Sequence, residues 1–239
     1  GAQMRAIGSQ AANLSETLQK DVQAVSDKLD EISTTVFDAM DSLENRDLVT
    51  DGSQTNPDSI TMGALRGCEN TGAVQADRNV GGIAGAVGME YSVDPESDVS
   101  KSLSTTERKQ YELRAVLQRC VSSGVVTAKK DCAAAICGRM DLGLIDGCEA
   151  YGSVESQSGD YAGGVAGICS AAIENCWAKC ALSGGRYVGG ITGTGVTDSV
   201  TGSGSTVSGC VSLVSITGYS QYAGAISGSS AGAFADNLF

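Results

Sequence analysis

The sequence predicts a mainly β fold, a parallel β-solenoid of about five short repeats. We expect a long N-terminal helical or coiled-coil segment before it and a helical insertion within it. Glycine supplies 32 of the 239 residues, a glycine motif recurs five times, and a cysteine precedes each copy. Stacked short repeats bury a continuous core that one repeat alone could not form. We therefore expect a helical segment at 1–48, a linker at 49–62 and the repeats at 63–239.

The N-terminal segment has an apolar residue at every third or fourth position. The stripe contains Met4, Ile7, Ala11, Leu14, Leu18, Val22, Val25, Leu29, Ile32, Val36, Met40 and Leu43. This spacing is close to an eleven-residue repeat, which suits a helix that packs on its own protein or a self-associating coiled coil. We keep both interpretations, and the second predicts a homo-oligomer. The polar stretch from Thr50 to Asp58 has the composition of a linker.

The repeat motif has the form x-Ala/Val-Gly-Gly/Ala-Ile/Val-small-Gly. Its copies begin at Asn79, Tyr161, Tyr187 and Tyr222, and a degenerate copy begins at Cys132. A cysteine lies 13 to 15 residues before the first residue of each glycine pair. These cysteines are Cys68, Cys120, Cys148, Cys176 and Cys210. The near-constant spacing predicts a structural ladder, in which equivalent cysteines of successive repeats lie one above another.

An insertion at about 89–119 separates the first cysteine from the second. It begins as a polar stretch around Pro95, and residues 104–107 (Ser-Thr-Thr-Glu) match the capping box of a helix N-terminus. Tyr111, Leu113, Val116 and Leu117 follow at helical spacing. The pattern predicts a helical insertion.

The repeats resemble the GLUG-motif repeats of bacterial surface proteins. The resemblance rests on the Gly-x-Val segments, on residues 187–193 (Tyr-Val-Gly-Gly-Ile-Thr-Gly) and on residues 175–177 (Asn-Cys-Trp). It covers about residues 63–230 outside the insertion. The second copy departs from the pattern, because alanine and cysteine replace its glycines. The resemblance implies an adhesin-like, cell-wall or secreted protein whose repeats are not a catalytic unit.

Composition argues against several functions. The chain has no histidine, which excludes Ser-His and Cys-His nucleophile pairs and histidine-bearing zinc sites. A formal charge of −12 argues against nucleic-acid binding. No apolar run is long enough for a membrane helix. The sequence also lacks a Gly-Lys-Ser/Thr phosphate loop and an EF-hand calcium loop. We expect no cofactor, no metal and no membrane insertion.

We interpret the nine cysteines as buried free thiols, because no Cys-x-x-Cys pair suggests a metal site. Cys132 with Cys137, or Cys176 with Cys180, would be the disulfides to expect if one formed. The disulfide state of Cys169 stays open as well.

Three tyrosines occupy the same repeat position, namely Tyr161, Tyr187 and Tyr222. They could form an exposed contact strip for a surface protein or a carbohydrate. Alternatively, the rings stack and cover the flank of the solenoid. Four acids of the repeats, Glu149, Glu155, Asp160 and Glu174, leave open a carbohydrate-active β-helix, because glycoside cleavage uses paired carboxylates.

We therefore expect a non-enzymatic bacterial surface or secreted module for adhesion, ligand display or structural spacing. The alternatives are a β-helix that binds or cleaves polysaccharide and an intracellular scaffold or assembly protein. The expected location is extracellular or at the cell surface, with the signal and anchor absent from this chain. A cytoplasmic location stays open, because a disulfide-free chain with nine thiols also suits a reducing compartment.

Overall fold

A computed structural model describes residues 49–88, 111–198, 201–219, 221–229 and 231–239. It also describes Lys20, Val22, Val25 and Lys28, each in helical conformation. The rest of the predicted helical segment at 1–48 lies outside the described residues, as does most of the insertion at 89–119. The strands all belong to the unit of residues 46–239.

This unit is built of parallel strands that form four main sheets. Sheet 1 contains β2 (Ala64–Arg66), β8 (Val116–Gln118), β13 (Leu144–Asp146), β17 (Ala172–Glu174), β21 (Thr206–Ser208) and β25 (Ala233–Ala235). Sheet 2 contains β3 (Glu69–Asn70), β4 (Val74–Ala76), β9 (Val121–Ser122), β10 (Val125–Ala128), β14 (Glu149–Ser156), β18 (Trp177–Ser183), β22 (Val211–Ser212) and β23 (Ser215–Gly218).

The other two main sheets follow sheet 2 in each repeat. Sheet 3 contains β5 (Val80–Gly81), β11 (Ala133–Ala134), β15 (Ala162–Gly163), β19 (Arg186–Gly189) and β24 (Gln221–Gly224). Sheet 4 contains β6 (Ala84–Val87), β12 (Cys137–Met140), β16 (Ala166–Cys169) and β20 (Thr192–Gly195). A separate parallel pair joins β1 (Val49–Asp51) to β7 (Tyr111–Leu113), and a 3₁₀ helix spans Pro57–Ser59.

The chain visits sheets 1, 2, 3 and 4 in turn and then begins the next circuit, so each strand pairs with its equivalent in the neighbouring repeat. Leu144 of one circuit lies opposite Val116 of the circuit before and Ala172 of the circuit after. Five circuits are present, and β25 begins a sixth. This parallel arrangement is a mainly β, β-helix-like fold, as the repeat predicted.

The core forms columns of equivalent apolar side chains. In sheet 1 one column runs through Leu65, Leu117, Ile145, Ile173, Val207 and Phe234. Its four central members are fully or almost fully buried, whereas Leu65 is 41% and Phe234 is 40% exposed. The centre of each column therefore holds the core together, since burial of apolar area is the main favourable contribution to folding.

The last glycine of the motif is required by close packing of backbone on backbone. A Cβ atom on Gly193 would lie 2.6 Å from the Gly167 carbonyl oxygen and 2.9 Å from that of Tyr187. Gly138 and Gly167 are equally crowded by backbone atoms. This explains why the position is glycine in every copy of the motif, including the degenerate one.

Two sequence predictions are wrong at this level. The end of the insertion, predicted to be helical, forms β7 and β8, so Tyr111, Leu113, Val116 and Leu117 lie in strands. The predicted linker includes β1, which pairs with β7, so regular structure begins before residue 63. In both places a parallel partner strand, available only after the chain has wound round, outweighs the local sequence pattern.

Candidate functional site

The five ladder cysteines lie in one internal column at the turn from sheet 1 to sheet 2. The backbone N–H of Cys120 donates to Cys148 Sγ, that of Cys148 to Cys176 Sγ, and that of Cys176 to Cys210 Sγ, each at 3.4 Å. The thiols also donate to carbonyl groups two residues earlier, as from Cys176 to Glu174 at 3.1 Å. The hydrogen bonds of this column therefore link successive turns, and they use the thiol groups for structural contacts.

Sequence reasoning missed the sixth member of this column, Asn237. Its Oδ1 accepts the N–H of Cys210 at 2.9 Å, as a thiol does in the circuits before. The residue preceding each of these positions has a positive φ, for example 52° at Arg119 and 53° at Asp236. That shared backbone conformation, with the residues Gly, Asn or Asp often found in it, is the signal that could have identified the sixth turn.

All nine cysteines are free thiols, and eight of them are buried. Neither candidate disulfide is formed. Cys176 belongs to the ladder, while Cys180 lies within β18 opposite Gly152. Burial raises the pKa of Cys132 to about 11 and those of Cys169 and Cys180 to about 12, because a low-polarity interior disfavours the thiolate.

We expect the thiols to be almost unreactive while the protein is folded. Cys68, which is half-buried, is the exception. At pH 8, a maleimide reagent should label at most Cys68 rapidly, and all nine cysteines should react in 6 M guanidinium. Buried thiols react slowly because the reagent cannot reach them, and at Cys132, Cys169 and Cys180 the raised pKa also keeps the thiolate fraction small. Mass spectrometry of the labelled protein gives the count, and two or more rapidly labelled sites in the folded protein would contradict the buried ladder.

Tyr161, Tyr187 and Tyr222 lie at equivalent positions beside sheet 3 and stack on one another. The ring centroids of Tyr161 and Tyr187 are 5.3 Å apart with an interplanar angle of 11°. Those of Tyr187 and Tyr222 are 4.9 Å apart at 20°. We call these three residues the tyrosine ladder. Because its members use their ring faces against each other, it presents mainly ring edges and hydroxyl groups to solvent.

The backbone of the tyrosine ladder is in the left-handed region, with φ of 67° at Tyr161, 60° at Tyr187 and 58° at Tyr222. Asn79 and Cys132, which occupy the same position in the first two circuits, also have positive φ. Asparagine adopts this conformation more readily than tyrosine. Asparagine, which the first circuit has at this position, would adopt the left-handed backbone with less strain than each of the three tyrosines does.

An ion pair joins Asp160 and Arg186, the residues that precede Tyr161 and Tyr187 of the tyrosine ladder. Arg186 donates from Nε and Nη2 to Asp160 Oδ2, at 2.9 and 2.6 Å. Its guanidinium also lies 6.0 Å from the ring centroid of Tyr187. Partial burial raises the pKa of Asp160, but the hydrogen bonds and charge of Arg186 outweigh it and lower the pKa overall. Sequence reasoning did not identify Arg186, although charged residues precede the motif in four circuits.

The four candidate carboxylates belong to different parts of the repeats. Glu149 and Glu155 lie near opposite ends of β14, which separates their backbones by about 20 Å at about 3.3 Å per residue. Asp160 is engaged by Arg186, and Glu174 is in sheet 1. Paired glycosidase carboxyl groups are about 5–9.5 Å apart. The separation of Glu149 and Glu155 along β14 therefore exceeds the range of such a pair.

The described part of the chain contains no group of three or more cysteine, aspartate or glutamate side chains able to hold a metal ion. In the same residues, no helix has the length and apolar character to cross a membrane.

Comparison with known proteins gives one structural similarity. No protein-family model and no curated protein matches the chain. Among solved structures, the chain is similar to the crystal structure of a "putative immunoglobulin A1 protease" from Bacteroides ovatus, at 20% identity and a TM-score of 0.49. The match covers 80% of this chain and 53% of that one, so the chain spans about half the length of its neighbour.

Proposed function

We propose that this chain is a non-enzymatic module of a bacterial surface or secreted protein, in which a rigid β-solenoid displays the tyrosine ladder to a protein partner. The proposal includes membership among the GLUG-motif repeats and self-association through the N-terminal segment. One observation carries the adhesive role: three exposed or half-buried tyrosines hold a strained backbone conformation at consecutive turns.

The backbone strain at the three tyrosines costs free energy, which another interaction must offset if the strain has no role in function. A left-handed backbone costs a residue other than glycine about 1–2 kcal/mol. Each stacked aromatic pair returns about 0.5–1.5 kcal/mol, and three tyrosines form only two pairs. Stacking therefore offsets only part of the strain. Strained residues that persist in this way are concentrated at functional sites, which supports a binding role over a purely covering one.

The geometry of the rings favours a protein over a carbohydrate at this strip. A sugar ring stacks on a free aromatic face, whereas stacking in the tyrosine ladder occupies both ring faces of Tyr187 and one face each of Tyr161 and Tyr222. The hydroxyl groups of Tyr161, Tyr187 and Tyr222 have no hydrogen-bond partner among the described residues. Tyrosine edges with free hydroxyl groups, next to an arginine, are characteristic of protein interfaces.

An intracellular scaffold is the second candidate function, and the nine free thiols favour it. Disulfides form in oxidising compartments, whereas cytosolic proteins keep their thiols reduced. Membrane, cytosol and medium fractions from the source cells, probed with an antibody to this chain, distinguish the two. Recovery in the cytosol alone would support the scaffold and contradict the surface role.

Replacing all three ladder tyrosines by asparagine tests the adhesive role. Asparagine tolerates the left-handed backbone and already occupies the position as Asn79. We expect beads coated with the protein to adhere to at least one member of a panel of purified mucosal and matrix proteins. Adhesion of the variant should fall about tenfold or more, the size expected when interface hot spots are lost.

Two controls accompany this experiment. The variant should keep the circular dichroism spectrum of the parent, and Met62→Ala, an exposed position outside sheet 3 and its tyrosine ladder, should adhere normally. Equal adhesion by the parent and the triple variant, or no adhesion to any member of the panel, would contradict the proposal.

A further inference from the structure

The outward face of sheet 2 carries a second surface that the tyrosine ladder does not include. Trp177, the chain's one tryptophan, lies on this face with Glu149 opposite it on one neighbouring strand and Val211 on the other. Two residues along, Lys179 lies opposite Tyr151. We call Glu149, Tyr151, Trp177 and Lys179 the tryptophan platform. It lies on β14 and β18, the two longest strands of the fold.

The aromatic part of the platform is available to a ligand. Trp177 is 51% exposed, and its indole N–H has no hydrogen-bond partner among the described residues. Leu213, which follows β22 on the same side, is also exposed. Exposed tryptophan is costly in water and is concentrated where proteins bind other molecules.

In the polar part of the tryptophan platform, one hydrogen bond holds two side chains together, while the other polar groups have no partner among the described residues. The Tyr151 hydroxyl donates to Glu149 Oε2 at 2.7 Å, which fixes both side chains and raises the pKa of the tyrosine. Within the described residues, Glu149 Oε1 accepts no hydrogen bond and the Lys179 ammonium group forms no ion pair. The exposed indole of Trp177 therefore has three unpaired polar groups to offer with it. They are the Glu149 Oε1 acceptor, the Lys179 ammonium donor and the indole N–H itself.

We propose that the tryptophan platform binds a neutral polysaccharide, with a pyranose ring stacked on Trp177 and its hydroxyl groups bonded to Glu149 and Lys179. A pyranose has an apolar C–H face and a rim of hydroxyl groups, which matches an aromatic face flanked by charged hydrogen-bonding groups. The open sheet, in place of an enclosing pocket, fits the middle of a polymer chain.

The charges and residue types of the tryptophan platform favour a neutral polysaccharide over a polyanion or a protein. The Glu149 and Lys179 charges cancel on the platform, while the chain as a whole carries −12 and repels polyanions. The centre of a protein interface is depleted in lysine and glutamate, and here both surround the tryptophan. This inference is independent of the proposed function, because it uses different residues on a different sheet.

Tryptophan fluorescence tests the proposal directly, because all tryptophan emission of the chain comes from Trp177. The probes are the hexaoses of cellulose, xylan, chitin and starch, with the hexamer of polygalacturonate as the acidic comparison. We expect at least one neutral hexaose to change the emission saturably and to protect Trp177 from acrylamide quenching. The acidic hexamer should do neither.

Variants then assign the site by calorimetry, which needs no tryptophan. Trp177→Ala and Glu149→Gln should each weaken binding of that hexaose about tenfold or more. The triple tyrosine-to-asparagine variant should bind as the parent does, with the same circular dichroism spectrum in every case. The proposal is overturned if no neutral hexaose binds, if only the acidic hexamer binds, or if Trp177→Ala binds normally.

Discussion

Replacing Ile173 by alanine should lower the free energy of unfolding by about 2–5 kcal/mol, the usual cost of truncating a large core side chain. Ile173 is completely buried and pairs with Ile145 and Val207 in the apolar column of sheet 1. Truncation removes contacts with both neighbours, and the tightly paired strands leave little room to close the cavity. Urea unfolding followed by circular dichroism measures the loss.

Leu65 provides the matched control, because it belongs to the same column at its first turn. It is 41% exposed, so Leu65→Ala gives up less buried area and leaves a space that water can enter. We expect its effect to be less than half that of Ile173→Ala. Equal losses at the two positions would show that the centre of the column does not dominate stability.

Gly193→Ala should be comparably destabilising for a different reason. The added Cβ would lie 2.6, 2.9 and 3.0 Å from three backbone atoms, the Gly167 oxygen, the Tyr187 oxygen and the Ala162 nitrogen. Backbone held in parallel ladders cannot move aside as a flexible side chain could. We expect a loss of about 3 kcal/mol or more, measured by urea unfolding and by the melting temperature.

Gly72→Ala is the control for this substitution. The nearest atom to its added Cβ is Asn70 Oδ1 at 3.6 Å, an ordinary contact, and its φ is not positive. The change in unfolding free energy should stay within about 0.5 kcal/mol. A Gly193→Ala protein as stable as Gly72→Ala would contradict the close backbone packing that explains the motif.

The internal architecture was largely predictable from spacing. The valine, leucine or isoleucine six residues after each ladder cysteine forms a column, in which Val126 lies opposite Val74 and Val154. Equivalent residues of a repeat must stack when the repeats stack, and an interior without water requires apolar groups there. The cysteine positions follow from the same rule.

The insertion shows where local pattern was insufficient. Four apolar residues between Tyr111 and Leu117 suit a helix by spacing, yet short apolar segments do not distinguish a helix from a buried strand. Here β7 and β8 pair with β1 and β2, which lie more than 50 residues earlier in the chain. Hydrogen bonds to those distant strands outweigh the local preference.

The contacts between outward side chains could not be predicted from the sequence in the way that the core could. The sequence alone determined that the chain repeats, which side chains face inward and that three tyrosines share a position, because these follow from period and alternation. Only the tertiary structure decided that the rings stack face to face, that Arg186 meets Asp160, and that Glu149 and Trp177 lie side by side. Residues about 28 apart become neighbours only when each turn closes, and no core packing constrains their outward side chains in advance.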